Sequence, residues 1–255
     1  FTNGSVYDFY KESRYYQDGH VINGFFSYDG EFGDHSISAT AGGNFDDYNG
    51  STLMVQQKGS LSQSLSFIGL MTTEDGLNNI EKASESISAY RTLGFFGRVN
   101  YNWKDMLFVS ASIRREASTK FGVNSRWGNF PSASIAWEMM SASFMEPASS
   151  VLKSLKPRFS YGVTGREPND PYQSLSTYST RHQYYIDGEW VVGYAPSSNA
   201  NPILSWEKSE SYNIGVDFNL WNRLRGSVEY YIRRSPDLLY QYTAPQPPYV
   251  HPTIL

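Results

Sequence analysis

The sequence contains no cysteine, which excludes a disulfide framework, a thiolate metal site and a cysteine nucleophile. It also lacks any run of about 18 apolar residues, so a membrane-spanning helix is excluded. The formal net charge is only -4 and neither sign forms a block, which argues against nucleic acid as a partner. A β-sheet membrane protein is compatible with all three absences, because its strands are short and only alternately apolar.

Aromatic rings are abundant in a chain that is otherwise polar. Phe, Trp and Tyr make up 16% of the residues, although only 40% of the residues are hydrophobic. This combination is typical of extended β surfaces. Along 93–101 and 107–113 the odd positions are apolar and the even positions are mostly polar. We therefore predict two strands, each with one apolar and one polar face, joined by a tight turn at 104–106.

A second hairpin is predicted with a defined register. The apolar residues fall on even positions in both 212–220 and 224–232. To keep both apolar sets on one face, the connection must hold an odd number of residues, because a slip of one residue would turn a whole strand over. Trp221, Asn222 and Arg223 are the simplest such connection.

Weaker alternation predicts further strands, which brings the total to about eight. These runs lie at 20–28, 35–43, 131–137 and 155–164, and the residues around Val6 to Tyr10 are a candidate for a ninth strand. Short connections are predicted at 29–34, 104–106 and 221–223, long polar ones at 44–92, 116–129 and 166–205, and a short helix in the intermediate link 139–154. Short turns at one end and long loops at the other are typical of an outer-membrane barrel.

A soluble β-sandwich would show the same alternation, so the polar face has to decide between the two. That face carries mostly Ser, Gly, Asn and Thr with isolated charges, which favours a crowded aqueous lumen over an ordinary wet surface. Bulky rings near the predicted turns would form an interfacial aromatic girdle: Tyr28, Tyr101, Trp103, Trp137, Phe218 and Trp221. The pattern favours the membrane barrel and leaves the sandwich open.

Five stretches occur in the order of a known family. They are RREASTKFG (114–122), NSRWGNFPSASIAW (124–137), LKPRFSYGVTG (155–165), NPILSWEKSESYNIGVD (201–217) and GSVEYYIRRSPDLL (226–239). With them the sequence resembles the SusC/RagA family of TonB-dependent outer-membrane transporters, and FGDHSISATAGG (32–43) resembles the family's preceding strand less specifically. Three positions depart from the family pattern, namely Glu116, Pro157 and Arg166. Pro157 removes one donor from its strand, so we expect a bulge or a weakened pairing there.

The resemblance implies that residues 1–255 are an internal part of one all-β, antiparallel transmembrane barrel domain. This part would supply about 8–9 strands of a larger barrel of about 22 strands, with the plug domain, the TonB box and the last strands outside it. The implied function is TonB-dependent import of a nutrient across the bacterial outer membrane, with an oligosaccharide favoured over a peptide. The implied partners are a SusD-like surface lipoprotein, TonB through the absent N-terminal region, outer-membrane lipid and a second copy of the transporter.

Two alternatives stay open beside this interpretation. One is a soluble β-sandwich that binds or hydrolyses carbohydrate, and the other is a small self-contained porin of eight strands. Catalysis has little support, because Ser150 to Lys153 matches S-x-x-K without its companion motifs. The four histidines are widely spaced, so we expect no catalytic residue, no metal site and no cofactor.

The long connection 166–205 is the best candidate for contact with substrate or lipoprotein, because rings and polar groups together suit the apolar and hydroxyl faces of sugars. The candidate residues are Tyr172, Tyr178, Arg181, Tyr184, Tyr185, Trp190 and Tyr194. A self-packed surface loop is the alternative. Lumen-facing charges are predicted at Arg98, Arg114, Arg158, Asp217, Arg225, Glu229 and Arg233. Contact with the plug or substrate is one role for these charges, and cross-strand pairing is the favoured one.

The cluster from Arg126 to Phe130 places two rings next to an arginine directly before Pro131. Because proline lacks an N–H group, it is best tolerated at the first residue of a strand, so we predict that the strand begins at Pro131. We expect this cluster to anchor the loop structurally where it re-enters the sheet rather than to bind a ligand.

Overall fold

The computed structural model describes residues 9–58, 80–247, 249 and 253–254. The described strands are β1 (Phe9–Phe32), β2 (His35–Lys58), β3 (Ile80–Trp103), β4 (Leu107–Ser118), β5 (Trp127–Trp137), β6 (Leu152–Arg166), β7 (Tyr178–Ile186), β8 (Glu189–Pro196), β9 (Glu207–Leu220), β10 (Leu224–Arg234), β11 (Tyr242–Thr243) and β12 (Thr253–Ile254). Eight of them form one sheet in the order β1-β2-β3-β4-β5-β6-β9-β10. The pairs β7–β8 and β11–β12 are separate two-stranded sheets. Within the described ranges, no helix has the length and apolar character needed to cross a membrane.

The chain divides into two compact units, residues 1–20 with 47–90 and residues 21–46 with 91–255. In the described part of the first unit, the hydroxyls of Tyr15 and Tyr48 share a hydrogen bond of 2.6 Å, and Tyr48 stacks on Tyr90 at 4.9 Å between ring centroids. The hydrogen bond with Tyr48, followed by loss of solvation, raises the pKa of Tyr15.

The register of β3 with β4 follows from the alternation of the sequence. Val99 pairs with Ala111 and Tyr101 pairs with Val109, so the apolar residues of both strands share a face. The turn between them is 104–106, as predicted. The two-faced hairpin is confirmed, and Ser110, Ser112 and Arg114 lie together on the opposite face.

The β9–β10 hairpin confirms the odd-numbered connection. Leu220 pairs with Leu224 and Val216 pairs with Val228, with Trp221, Asn222 and Arg223 as the turn. Trp221 and Asn222 have φ angles of 51° and 55°, in the left-handed region. Asn adopts this conformation readily, whereas Trp does so at some cost. The register, and with it the common apolar face, is held by the ladder on both sides of the turn.

Three strands are longer than predicted. β1, β2 and β3 have 24 residues each, so the connection predicted at 29–34 is shorter and all of the described part of 44–92 is strand. Alternation detects a strand only where one face is apolar, and the outer parts of these strands carry polar residues on both faces. Residues 9 and 10 of the predicted ninth strand belong to β1, and its first residues lie outside the described part.

β5 begins at Trp127, four residues before the proline at which a strand start was predicted. Pro131 pairs with Ile113 of β4, but the ladder of β5 with β6 runs only from Ser132 to Ala136. Pro157 of β6 lies one residue beyond the other end of the same ladder. Because both prolines lie outside the β5–β6 ladder, neither missing donor interrupts it.

The bulge expected at Pro157 is not found on the β9 side. Pro157 pairs with Val216 in continuous register, and the irregularity of that ladder falls between Leu152 and Ser154. The irregularity therefore lies at the start of β6, where the chain leaves a turn.

Short connections form one edge of the sheet, which we call the turn edge. The predicted short helix is present as two 3₁₀ segments, Met139–Ser141 and Ser143–Ala148. Backbone hydrogen bonds of 2.7–2.8 Å join neighbouring turns, donated by Lys104 to Asp34, by Glu138 to Met106 and by Trp221 to Val151. The six rings predicted as a girdle lie on the strand ends near this edge or in its turns. The connections 119–126 and 167–206 lie at the opposite end of the sheet, which we call the loop edge.

Candidate functional site

A small hydrophobic cluster, the loop core, organises the loop edge. Its members are Phe121, Phe130, Leu204 and Trp206, all buried. The Trp206 ring lies 4.7 Å from the Phe121 ring and meets the Phe130 ring edge-on at 5.2 Å, both measured between centroids. Trp206 Nε1 also donates a 2.8 Å hydrogen bond to the carbonyl oxygen of Arg126. The four members come from three of the five family stretches, and the partly buried Val163 and Leu239, which pack against them, come from the other two.

Glycines allow the backbones around the loop core to approach closely. A Cβ atom on Gly122 would collide with the carbonyl oxygen of Pro202, and one on Gly165 would collide with the ring of Phe130. The residues from Arg126 to Phe130 therefore act as part of a packed anchor. This placement agrees with the structural role expected for the cluster before Pro131.

Replacing Gly122 with alanine is expected to destabilise the loop edge by about 1–3 kcal/mol, because two backbone segments would have to separate. Limited proteolysis of the folded protein, with cleavage followed within 167–206, measures the effect. Gly97→Ala is the matched control, since its Cβ would meet nothing within 4 Å. Equal protease resistance of the two variants would contradict the close packing of 122 against 202.

A buried lysine holds the beginning of the long segment 167–206. The side chain of Lys120 is only 6% exposed, and its Nζ donates to Glu167 Oε1 at 2.8 Å. It also donates to the carbonyl oxygens of Pro168 at 3.2 Å and Asn169 at 3.3 Å. A buried charge is stable only when it is paired and hydrogen-bonded in this way. Lys120 therefore fixes the start of the segment, while Trp206 in the loop core fixes its end.

A polar cleft of about 230 Å³ opens beside this anchor. Its lining residues are Arg166, Glu167, Pro168, Asn169, Asp170, Gln173, Glu207, Leu239 and Gln241. Glu207 Oε2 accepts a hydrogen bond of 3.4 Å from the Leu239 backbone. Within the described residues, Glu167 Oε2 and Gln173 Oε1 are buried without a hydrogen-bond partner. The cleft thus has acceptor capacity that the described protein atoms do not use.

The segment 167–206 also carries the β7–β8 hairpin. Asp187 and Gly188 form its turn with φ angles of 52° and 89°, which matches the primed turns that two-residue hairpins favour. Trp190 is 68% exposed, and Tyr185 packs against it at 5.3 Å between centroids. Aromatic and β-branched side chains are exposed along both strands of this hairpin.

The hairpin gathers most of the residues predicted for substrate or lipoprotein contact. Tyr178, Tyr184, Tyr185, Trp190 and Tyr194 lie on it and are exposed. Tyr172 lies before the hairpin with a φ angle of 68°. Arg181 belongs to β7, but its side chain lies outside the described part. Contact with a ligand or partner remains a proposal for all seven residues.

Three of the seven charges predicted for the polar face form pairs across neighbouring strands. Arg158 of β6 bonds Asp217 of β9 at 3.1 Å and also pairs with Glu229 of β10. Arg114 bonds Glu116 at 2.7 Å and Asn44 at 3.0 Å. Arg233 donates to Ser209 at 2.9 Å, and Arg98 and Arg225 lie on β3 and β10. Since these pairs are partly exposed, each contributes modestly to stability.

Sequence reasoning missed the cleft and the anchor beneath it. Lys120, Glu167 and Gln173 show no periodicity or motif that distinguishes them from ordinary loop residues. Lys120 lies in the family stretch 114–122, whereas Glu167 and Gln173 lie in none of the five stretches. In the described part of the chain, no group of three or more acidic or histidine side chains is placed to hold a metal ion.

The chain matches the family described as TonB dependent receptor-like, beta-barrel over residues 1–252. It is 32% identical over 169 residues to TonB-dependent receptor P39 of Formosa agariphila, an alignment that covers 66% of the chain and 16% of that relative. It is 31% identical over 160 residues to TonB-dependent receptor SusC of Bacteroides thetaiotaomicron, which covers 60% of the chain and 16% of that relative.

The fold is also similar to solved structures. With the RagAB peptide transporter the TM-score is 0.78 at 25% identity, covering 92% of the chain and 25% of the transporter chain. With the RagAB peptide importer in the 'open-open' state the TM-score is 0.76 at 27% identity. The chain therefore spans a minor part of the length of these relatives. The antiparallel sheet, the two-faced strands and the family match together show that the chain belongs to the TonB-dependent receptor family, as part of its outer-membrane β-barrel.

Proposed function

We propose that the chain is part of one barrel domain that imports a nutrient across the bacterial outer membrane in a TonB-dependent manner. In this proposal the apolar face of the sheet meets lipid and the polar face lines the lumen. The loop edge is extracellular and the turn edge is periplasmic. The observation that carries the proposal is the alternation of an apolar with a mostly polar face along the paired segments 93–101 with 107–113 and 212–220 with 224–232.

The favoured cargo is an oligosaccharide, and the favoured partner is a SusD-like surface lipoprotein that meets the extracellular loops. The likeness to SusC supports a transporter of this kind, and the exposed rings of the β7–β8 hairpin suit both a sugar and a protein partner. TonB would act through the N-terminal region of the full-length protein. A second copy of the transporter is a further proposed partner.

A peptide is the second candidate cargo. The specific observation in its favour is the fold likeness to a protein described as a peptide transporter, with a TM-score of 0.78. The identity of 25% leaves room for a different loop chemistry, and loops set the specificity of such proteins. Competition between neutral oligosaccharides and short peptides for uptake by whole cells separates the two cargoes.

Cysteine labelling tests the proposed orientation, because this chain has no cysteine of its own. Asn213 lies on the polar face of β9 and Ile214 on its apolar face. In the full-length protein in native membranes, Asn213→Cys is expected to react with a charged maleimide at least about tenfold faster than Ile214→Cys, since the charged reagent does not enter lipid. Comparable rates at the two neighbouring positions, or faster reaction at 214, would contradict the membrane orientation.

A further inference from the structure

The polar cleft at the loop edge has walls that are fixed before any ligand arrives. The buried Lys120 holds the Glu167 carboxylate and the carbonyl groups of Pro168 and Asn169. Glu207 also lines the cleft: its carboxylate accepts from the Leu239 backbone, and its backbone lies opposite that of Arg166 in the β6–β9 ladder. A site held in this way loses little conformational freedom on binding.

The lining of the cleft mixes hydrogen-bond donors with acceptors. Arg166 and the side-chain amides of Asn169, Gln173 and Gln241 donate, while Glu167, Asp170 and Glu207 accept. Pro168 and Leu239 supply apolar surface. A sugar ring presents the matching combination, because its hydroxyls both donate and accept and its CH groups are apolar.

Other ligand classes fit this lining less well. An anion would meet three carboxylates and one guanidinium, which is unfavourable in a partly enclosed site. An apolar group would cover polar side chains without giving them hydrogen bonds. A cationic group would use the acceptors but leave Arg166 and the amide N–H groups unpaired.

Two oxygens show that the acceptor capacity of the cleft is not used up. Glu167 Oε2 and Gln173 Oε1 have no hydrogen-bond partner among the described residues. Rotation about the terminal torsion of Glu or Gln meets only a broad, shallow energy profile. A small rotation of Gln173 therefore brings its oxygen to a ligand hydroxyl at little cost, while Glu167 stays held through Oε1 by Lys120.

The volume limits what the cleft can hold. At about 230 Å³ it is smaller than the roughly 300–1,000 Å³ of pockets that enclose drug-sized ligands. We propose that the cleft is a subsite for one neutral sugar unit of the imported oligosaccharide, an inference that rests on the proposed function. The remaining sugar units lie outside the cleft.

A binding experiment tests this inference. The full-length protein in detergent is applied to an array of neutral oligosaccharides of defined linkage, and to an array of short peptides for comparison. Gln173→Leu and Gln241→Leu keep the size of the side chain and remove its hydrogen bonds. Each is expected to weaken glycan binding about tenfold, the effect of leaving one buried polar contact unmade. Gln17→Leu, the same substitution at an exposed position of β1, is expected to bind like the wild type.

Heat-modifiable migration of the barrel on gels confirms that each variant is folded. Unchanged glycan binding in both cleft variants would overturn the subsite, as would retention of peptides without any neutral glycan. If both variants kept unchanged TonB-dependent glycan uptake, the subsite would be overturned but the proposed import function would stand. Absence of any TonB-dependent uptake by the wild type would instead overturn the proposed function.

Discussion

Replacing Trp206 with alanine is expected to destabilise the loop edge by about 3–5 kcal/mol, the usual cost of truncating a buried Trp. The Trp206 side chain packs against Phe121 and Phe130, and its indole donates to the carbonyl oxygen of Arg126. The substitution therefore creates a cavity and removes one of the two hydrogen bonds that the Arg126 carbonyl oxygen accepts, the other being donated by the Ser118 backbone at 3.2 Å. We expect rapid proteolysis within 167–206 and a lower yield of folded protein in the outer membrane.

Trp221→Ala is the matched control for this substitution, because Trp221 is 55% exposed in a turn at the opposite edge of the sheet. Its loss creates no cavity, so resistance to protease within 167–206 is expected to stay at the wild-type level. The two variants are compared in the full-length protein by limited proteolysis and by thermal unfolding. If Trp206→Ala were as resistant as Trp221→Ala, the loop core would have no role in holding the loop edge.

The wall of the sheet could be predicted from the sequence because burial on one face imposes a period of two. Once Leu220 and Leu224 have to share a face, only an odd-numbered turn satisfies both strands, and the observed register follows. The same reasoning gives the pairing of Val99 with Ala111. Register is thus a local consequence of the apolar pattern and needs no tertiary information.

The outer parts of β1, β2 and β3 could not be predicted, because polar residues on both faces erase the period-two signal. These parts stay in the sheet because their backbone N–H and C=O groups form hydrogen bonds with neighbouring strands, although neither face is apolar. The predicted start of β5 at Pro131 is wrong for a different reason. The cost of the missing N–H of Pro131 depends on where the ladder with β6 ends, and the sequence around Pro131 does not show this.

The candidate site was predictable only in part. Exposed rings in a long connection can be recognised by composition, and these rings do lie together on the β7–β8 hairpin. The cleft depends on contacts between residues that are distant in sequence, such as Lys120 with Glu167 and Glu207 with Leu239. Such contacts follow from the way the loops fold over the sheet, and no spacing along the chain encodes them.

Removing the rings of Tyr184 and Trp190 together is expected to weaken contact with the lipoprotein or cargo by at least about a hundredfold, since exposed aromatic anchors typically contribute about 2 kcal/mol each. Both rings are more than half exposed, so truncation removes contact surface without opening a cavity. Assembly of the barrel in the outer membrane is therefore expected to be unchanged. Uptake by whole cells at low substrate concentration measures the loss of cargo binding. The amount of surface lipoprotein retained in the purified complex measures the loss of partner binding.

Phe144→Ala provides the control for this double variant, because Phe144 is 62% exposed and belongs to the 3₁₀ segment at the turn edge. Loss of a ring at that edge is expected to leave uptake and lipoprotein retention unchanged, since the proposed contacts lie at the other end of the strands. If the double variant retained wild-type uptake and lipoprotein binding, the hairpin would be a self-packed surface element. Specificity would then have to come from the polar cleft, where Gln173→Leu would still reduce glycan binding while the hairpin variant would not.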